Sequence, residues 1–129
     1  MNVTYYCPHC RGAINMLDHI ILSARCPKNK IGLIMLHEEI GNYTVKMSAS
    51  LDAQKGDVFD LYCPVCHESL NTEKGEHHAC YIRMDETGME SKIIVSRKYG
   101  DQYTLKITGT TVESYGESAR KFVDPEWFL

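Results

Sequence analysis

Apolar and polar residues alternate with period two through much of the chain. Tyr43, Val45 and Met47 alternate with Thr44, Lys46 and Ser48, while Tyr103, Leu105 and Ile107 alternate with Thr104, Lys106 and Thr108. Successive side chains of a strand point to opposite faces, so this pattern predicts strands that bury one face. Further strands are predicted over residues 19–25, 32–37, 57–62, 79–84 and 90–97. The breaks between them carry turn chemistry: Pro27-Lys28-Asn29-Lys30, Lys55-Gly56-Asp57, Asp85-Glu86-Thr87-Gly88 and Tyr99-Gly100-Asp101. No long amphipathic helix is expected. The best short candidates are residues 117–122 and a final turn at Asp124-Pro125-Glu126, where Asp is a good cap and Pro suits the first helical position. The fold class expected is mainly β, from antiparallel units.

The chain also echoes itself. Tyr6-Cys7-Pro8-His9-Cys10-Arg11-Gly12-Ala13-Ile14-Asn15 lines up with Tyr62-Cys63-Pro64-Val65-Cys66-His67-Glu68-Ser69-Leu70-Asn71, sharing Y-C-P-x-C-x-x-x-(apolar)-N at an offset of 56 residues. Later, with the offset grown to 59, Ile40-Gly41-Asn42-Tyr43-Thr44-Val45-Lys46-Met47 matches Tyr99-Gly100-Asp101-Gln102-Tyr103-Thr104-Leu105-Lys106-Ile107, with one residue inserted before the tyrosine. The stretch from Leu51 to Asp57 resembles that from Val112 to Glu117. We read one domain, 1–129, made of two related halves, about 1–60 and 61–129; chance resemblance between β-rich stretches with similar turns is the alternative.

Composition narrows the function classes. A chain of 129 residues is long enough to bury a core without staples. Against 17 acidic residues stand 14 basic ones, a net charge of -3 that gives no global attraction for nucleic acid or an anionic membrane. Short basic clusters such as Arg25, Lys28 and Lys30 read as a solvated face. The first twenty residues lack a basic start with an apolar run, and no stretch reaches about 18 apolar residues, so a cytoplasmic, non-membrane protein is expected. In that compartment, six cysteines point to metal ligands, reactive thiols or small buried apolar residues rather than disulfides.

Two residues between paired cysteines let a tight turn aim both sulfurs at one point, and two such pairs complete a tetrahedral four-cysteine site. The expected metal ligands are therefore Cys7, Cys10, Cys63 and Cys66, holding structural zinc, with iron as the alternative. Proline after the first cysteine stiffens each knuckle, and the remaining amides of the turn are free to donate to the thiolates. Closing the 52-residue gap between Cys10 and Cys63 costs roughly 4 kcal/mol, which the roughly 10–16 kcal/mol of a structural zinc site outweighs. A local site of Cys63, Cys66, His78 and Cys80 would save about 1–2 kcal/mol of closure entropy, but only the four knuckle cysteines are shared by both halves. The knuckle segments resemble those of zinc-ribbon and rubredoxin-like proteins and of small uncharacterised bacterial proteins with paired Cys-Pro-x-Cys motifs. Zinc-ribbon and rubredoxin-like proteins often place glycine directly after the second cysteine, where this chain has Arg11 and His67.

The same residues also admit sharper readings. Cys7-Pro8-His9-Cys10 is identical to the active-site tetrapeptide of thioredoxin-fold disulfide oxidoreductases, which requires a helix opening at the motif. His37-Glu38-Glu39 followed by a Cys-x-x-Cys is similar to the zinc deaminase pattern, though proline here follows the first cysteine. His19 and His78 fall at similar places after each knuckle, and surface positions are expected for both. No catalytic set is expected. The aromatic tail, Trp127-Phe128-Leu129, is expected to bury itself or dock on a partner. The function expected is that of a binding or regulatory module, with a protein partner favoured over nucleic acid; thiol–disulfide exchange at Cys7/Cys10 and a zinc-ribbon nucleic-acid binder are the alternatives.

Overall fold

Ile20, Leu22 and Ala24 are buried whereas Ile21, Ser23 and Arg25 between them are not, which is how a period-two sequence becomes a strand with one face in the core. A computed structural model, which describes residues 3–72 and 77–116, organises such segments into ten strands. They are β1 (Thr4–Tyr6), β2 (Asn15–Met16), β3 (His19–Arg25), β4 (Ile31–His37), β5 (Val45–Met47), β6 (Asp60–Tyr62), β7 (His78–Met84), β8 (Glu90–Ser96), β9 (Thr104–Thr108) and β10 (Thr111–Tyr115). One antiparallel sheet has the order β1-β7-β8-β9-β10; the other has the order β2-β3-β4-β5, with β6 also laid against β3. Among the described residues no helix is long and apolar enough to cross a membrane. The two helical candidates near the C-terminus and the aromatic tail lie outside the described residues.

The short strand before each knuckle is exchanged. β1 leads into Cys7 but pairs with β7, matching Tyr6 to Ile82, and β6 leads into Cys63 but pairs with β3, matching Tyr62 to Ser23. The registers are equivalent: shifting the first-half residues by the offsets seen in the sequence turns one set of pairs into the other. The hairpins β3–β4 and β7–β8 also share a register, with His19 opposite His37 and His78 opposite Ser96. Each sheet is thus completed by a strand from the other half. A single buried cluster draws on both halves, including Tyr5, Leu22 and Ile34 together with Leu61, Tyr81 and Ile93.

The equivalence breaks after these hairpins. The residue inserted before Tyr103 slips β9 by one position, so that Lys106 rather than Ile107 lies opposite Ile93, whereas Met47 lies opposite Ile34. A one-residue slip moves every side chain to the other face. Val45 and Met47 accordingly pack on the shared core, while Leu105 and Ile107 join Ile94 in a second buried cluster. The expected likeness of the stretches after Leu51 and Val112 does not extend to structure. The first contains the end of a 3-10 turn, Ala49–Leu51, that buries Leu51, and the second forms β10. That turn crosses so close to Gly32 that a Cβ there would stand 2.8 Å from the Ser48 Cβ, which is why β4 carries glycine at this point.

Candidate metal centre

Each Cys-Pro-x-Cys segment folds into the same hairpin. The Cys7 amide donates to the Gly12 carbonyl at 3.0 Å and the Arg11 amide to the Cys7 carbonyl at 3.0 Å; in the second knuckle Cys63 donates to Glu68 and His67 to Cys63, both at 3.0 Å. The residue after the second cysteine is left-handed in both, with φ of 63° at Arg11 and 67° at His67. Glycine enters that region at no steric cost, so the preference for glycine in ribbon-like knuckles has a backbone reason. Arg11 offsets its strain partly through a two-pronged pair with Glu90, at 3.2 and 2.7 Å, and by lying 5.4 Å from the Tyr6 ring centroid.

An asparagine latches each exchanged strand. Asn15 Oδ1 accepts from the buried Tyr5 amide at 3.0 Å, and its Nδ2 donates to the Val3 carbonyl and to Glu38, both at 3.0 Å. Asn71 Oδ1 accepts from the Leu61 amide at 3.1 Å, and its Nδ2 donates to Asp60 at 3.2 Å. These are the asparagines that close the repeated sequence motif. They fix β1 and β6, and hence Cys7 and Cys63, against the hairpins that follow.

The four knuckle sulfurs converge: those of Cys7, Cys10, Cys63 and Cys66 all lie within 4.8 Å of one another. Cys7 and Cys66 are 3.7 Å apart and Cys10 and Cys63 are 3.8 Å apart. A regular tetrahedron with metal–sulfur bonds of about 2.3 Å has sulfurs about 3.8 Å apart, so the donor set fits a single zinc or iron ion. Backbone amides face the sulfurs, His9 onto Cys7, Gly12 onto Cys10, and Val65 onto Cys63, each at 3.3 Å, with Cys66 onto Cys63 at 3.4 Å. Such donors stabilise thiolates and so favour metal over protons. His9 Nε2 is also 3.0 Å from the Ser69 carbonyl, which ties the first knuckle to the second.

Burial and mutual contact set the sulfurs' proton affinities in the metal-free fold. The Cys7 thiol is raised, chiefly by burial. Burial acts to raise Cys63 too, but donors from the Cys66 and Val65 amides and the neighbouring thiols win, and it is lowered. At Cys66 the Glu68 amide acts to lower the value, yet desolvation and the sulfurs of Cys7, Cys63 and Cys10 push it up to about 12. Cys7 and Cys63 are fully buried, while Cys10 is exposed. The centre therefore sits with one side against the core and one side at the surface.

Other residues singled out in the sequence stand elsewhere. Among the described residues, no other His, Cys, Asp or Glu joins a ligand cluster, so Cys26, Cys80 and His37-Glu38-Glu39 lie outside it. Cys80 lies on β7, partly buried against the second cluster. His19 is half-buried, with Nδ1 2.8 Å from the Leu17 carbonyl. His78, expected at the surface, is buried, and its Nε2 meets the Tyr103 hydroxyl; on β7 it shares the face of Cys80, opposite the Ala79 and Tyr81 of the shared core. No helix opens at Cys7-Pro8-His9-Cys10, where the chain turns back instead to pair Tyr6 with Ala13. The chain matches no protein-family model, no curated protein and no solved structure.

Proposed function

We propose that this chain is a duplicated β module clasped by one structural zinc ion on Cys7, Cys10, Cys63 and Cys66, and that it acts by binding a protein partner. The observation that carries the clasp is the spacing of the four sulfurs, two from each half, around one point. Four protein ligands close the coordination sphere, so the ion joins the halves and leaves no position for a substrate. The matched registers of the exchanged strands support descent from a single knuckle-bearing unit that once shared its metal across a dimer.

The partner reading rests on the outer face of β4. Ile31 and Leu33 are 64% and 47% exposed on the outer face of β4, beside the partly exposed Met35 and its cross-strand neighbour Ile21. An apolar stripe of this kind marks an interaction site more often than a bare surface. The basic residues are meanwhile drawn to local acids: Lys28 and Lys30 approach Asp52 at 3.8 and 3.6 Å, and Arg97 pairs with Asp60 at 3.3 Å. Elemental analysis with thiol titration tests the clasp: one zinc per chain with four protected thiols is expected, and two metals or an oxidised Cys7/Cys10 pair would overturn it. A photo-crosslinker at position 33 should give protein adducts that the same group at exposed Thr110 does not; adducts to RNA would overturn the partner reading.

A further inference from the structure

The two sheets leave a cavity of about 300 Å³ between them. Ile20, Leu22 and Ile34 line it from one sheet and Tyr81 and Ile93 from the other, while exposed Lys55 and Lys98 stand at its rim. The cavity is open to solvent at that rim and has room for roughly ten water molecules at about 30 Å³ each. That places it at the lower end of small-molecule sites.

Five tyrosines line the cavity, Tyr5, Tyr43, Tyr81, Tyr99 and Tyr103, and they differ in their partners; the Tyr103 hydroxyl meets His78 Nε2. The Tyr5 hydroxyl donates to the Glu38 carbonyl at 2.6 Å, and the Tyr43 hydroxyl is 3.2 Å from Thr104 Oγ1. Tyr81 packs edge-on to Tyr5 at 5.6 Å between ring centroids and is 3% exposed; among the described residues its hydroxyl has no hydrogen-bond partner, yet it does not count among the fully buried unpaired polar atoms, so it keeps an edge open to the cavity. A phenol with no protein partner bonds to water at such an edge, or to an acceptor on a ligand that displaces the water. Burial raises the Tyr81 hydroxyl's proton affinity, so it remains a neutral donor at any physiological pH. Of the charged side chains at the cavity, Arg97 donates to the Phe59 and His78 carbonyls and to Asp60, Glu38 accepts from Asn15 and Asp101 accepts from Ser96, while Lys55, Lys98 and Glu39 are exposed at the rim rather than among the apolar residues beneath. Burying an ionic ligand here would leave its charge without a counterpart.

We propose that the cavity binds an uncharged, mainly apolar molecule of about ten to a dozen non-hydrogen atoms, with one acceptor that takes the Tyr81 hydroxyl. The knuckle cysteines do not line the cavity, so this binding is independent of the metal assignment. The probe is para-butylanisole, titrated into the full-length, metal-loaded chain and followed through the methyl resonances in a carbon–proton NMR spectrum. Saturable shifts are expected at Ile20, Ile34 and Ile93, with Ile14 and Leu70 near the knuckles unmoved. Tyr81→Phe should preserve the spectrum of the free protein and weaken binding about tenfold, the worth of one hydrogen bond to a buried donor. The charged analogue para-butylbenzoate should bind at least about tenfold more weakly than the ether. Shifts centred on Ile31 and Leu33, no saturation, equal affinity for the Tyr81→Phe variant, or equal affinity for the carboxylate would each overturn the proposal.

Discussion

Replacing Asn15 by alanine probes the link between fold and metal centre. The substitution removes three hydrogen bonds at 3.0 Å and leaves the amide of Tyr5, a fully buried residue, without its acceptor. An orphaned buried donor costs about 1–3 kcal/mol and each lost donor bond about 0.5–1.5 kcal/mol. Asn15→Ala should therefore destabilise the metal-loaded protein by about 2–6 kcal/mol, and Asn71→Ala, which loses two bonds, by about 1.5–4.5 kcal/mol. For a domain of this size each kcal/mol lowers the melting temperature by roughly 3–5 °C, so the first variant should melt at least about 6 °C early. Because β1 and β6 run directly into Cys7 and Cys63, both variants should also surrender metal to a chelator faster than the parent. Denaturant titration and chelator-driven metal loss measure the two effects. A cost under about 0.5 kcal/mol at either position, or unchanged release rates in both variants, would refute the latch.

Three further outcomes are expected. His67→Gly relieves a left-handed residue at about 1–2 kcal/mol but adds unfolded-state freedom of about 0.5–1 kcal/mol, so a gain of about 0.5–1 kcal/mol should appear in denaturant titrations; a loss would mean that the His67 side chain makes a compensating contact. In the metal-free fold Cys7 is raised and Cys66 lies at about 12, so both hold protons at neutral pH. Zinc must displace at least these two, and its affinity should fall about a hundredfold for each pH unit of acidification, an expectation that a pH-independent affinity would sink. Cys80, pushed to about 11 chiefly by burial, should resist alkylation at neutral pH, and Cys80→Ala should leave zinc stoichiometry unchanged by elemental analysis while costing about 1 kcal/mol of packing; loss of zinc would place Cys80 among the ligands.

β3 was legible because its one-sided burial writes period two into the sequence, whereas β8 buries the adjacent Ile93 and Ile94 on opposite faces and shows only an apolar run. The convergence of Cys7, Cys10, Cys63 and Cys66 was legible for a different reason: the repeat separates them from Cys26 and Cys80, which occupy positions without a cysteine in the other half. The exchange of β1 and β6 was not, since local alternation does not name a strand's partner, and Tyr6 meets Ile82 rather than a near neighbour. The slip of β9 was hidden as well. The inserted residue shows in the alignment, but an insertion can be absorbed in a loop or in the pairing register, and only the pairing of Ile93 with Lys106 distinguishes these. β2 spans two residues, too few to show any period.

The exchanged strands also govern how the chain can be made. Thr4 is synthesised about 80 residues ahead of Met84, its pairing partner, so at roughly 5–20 residues per second β1 waits about 4–16 s for its partner strand. The N-terminal hairpin is meanwhile short of β6, and Cys7 and Cys10 emerge as a lone pair of thiols. The sheet of β7 cannot be completed from its own half, so the rate at which it forms should follow the long-range closure that brings β1 to β7 rather than the speed of any hairpin.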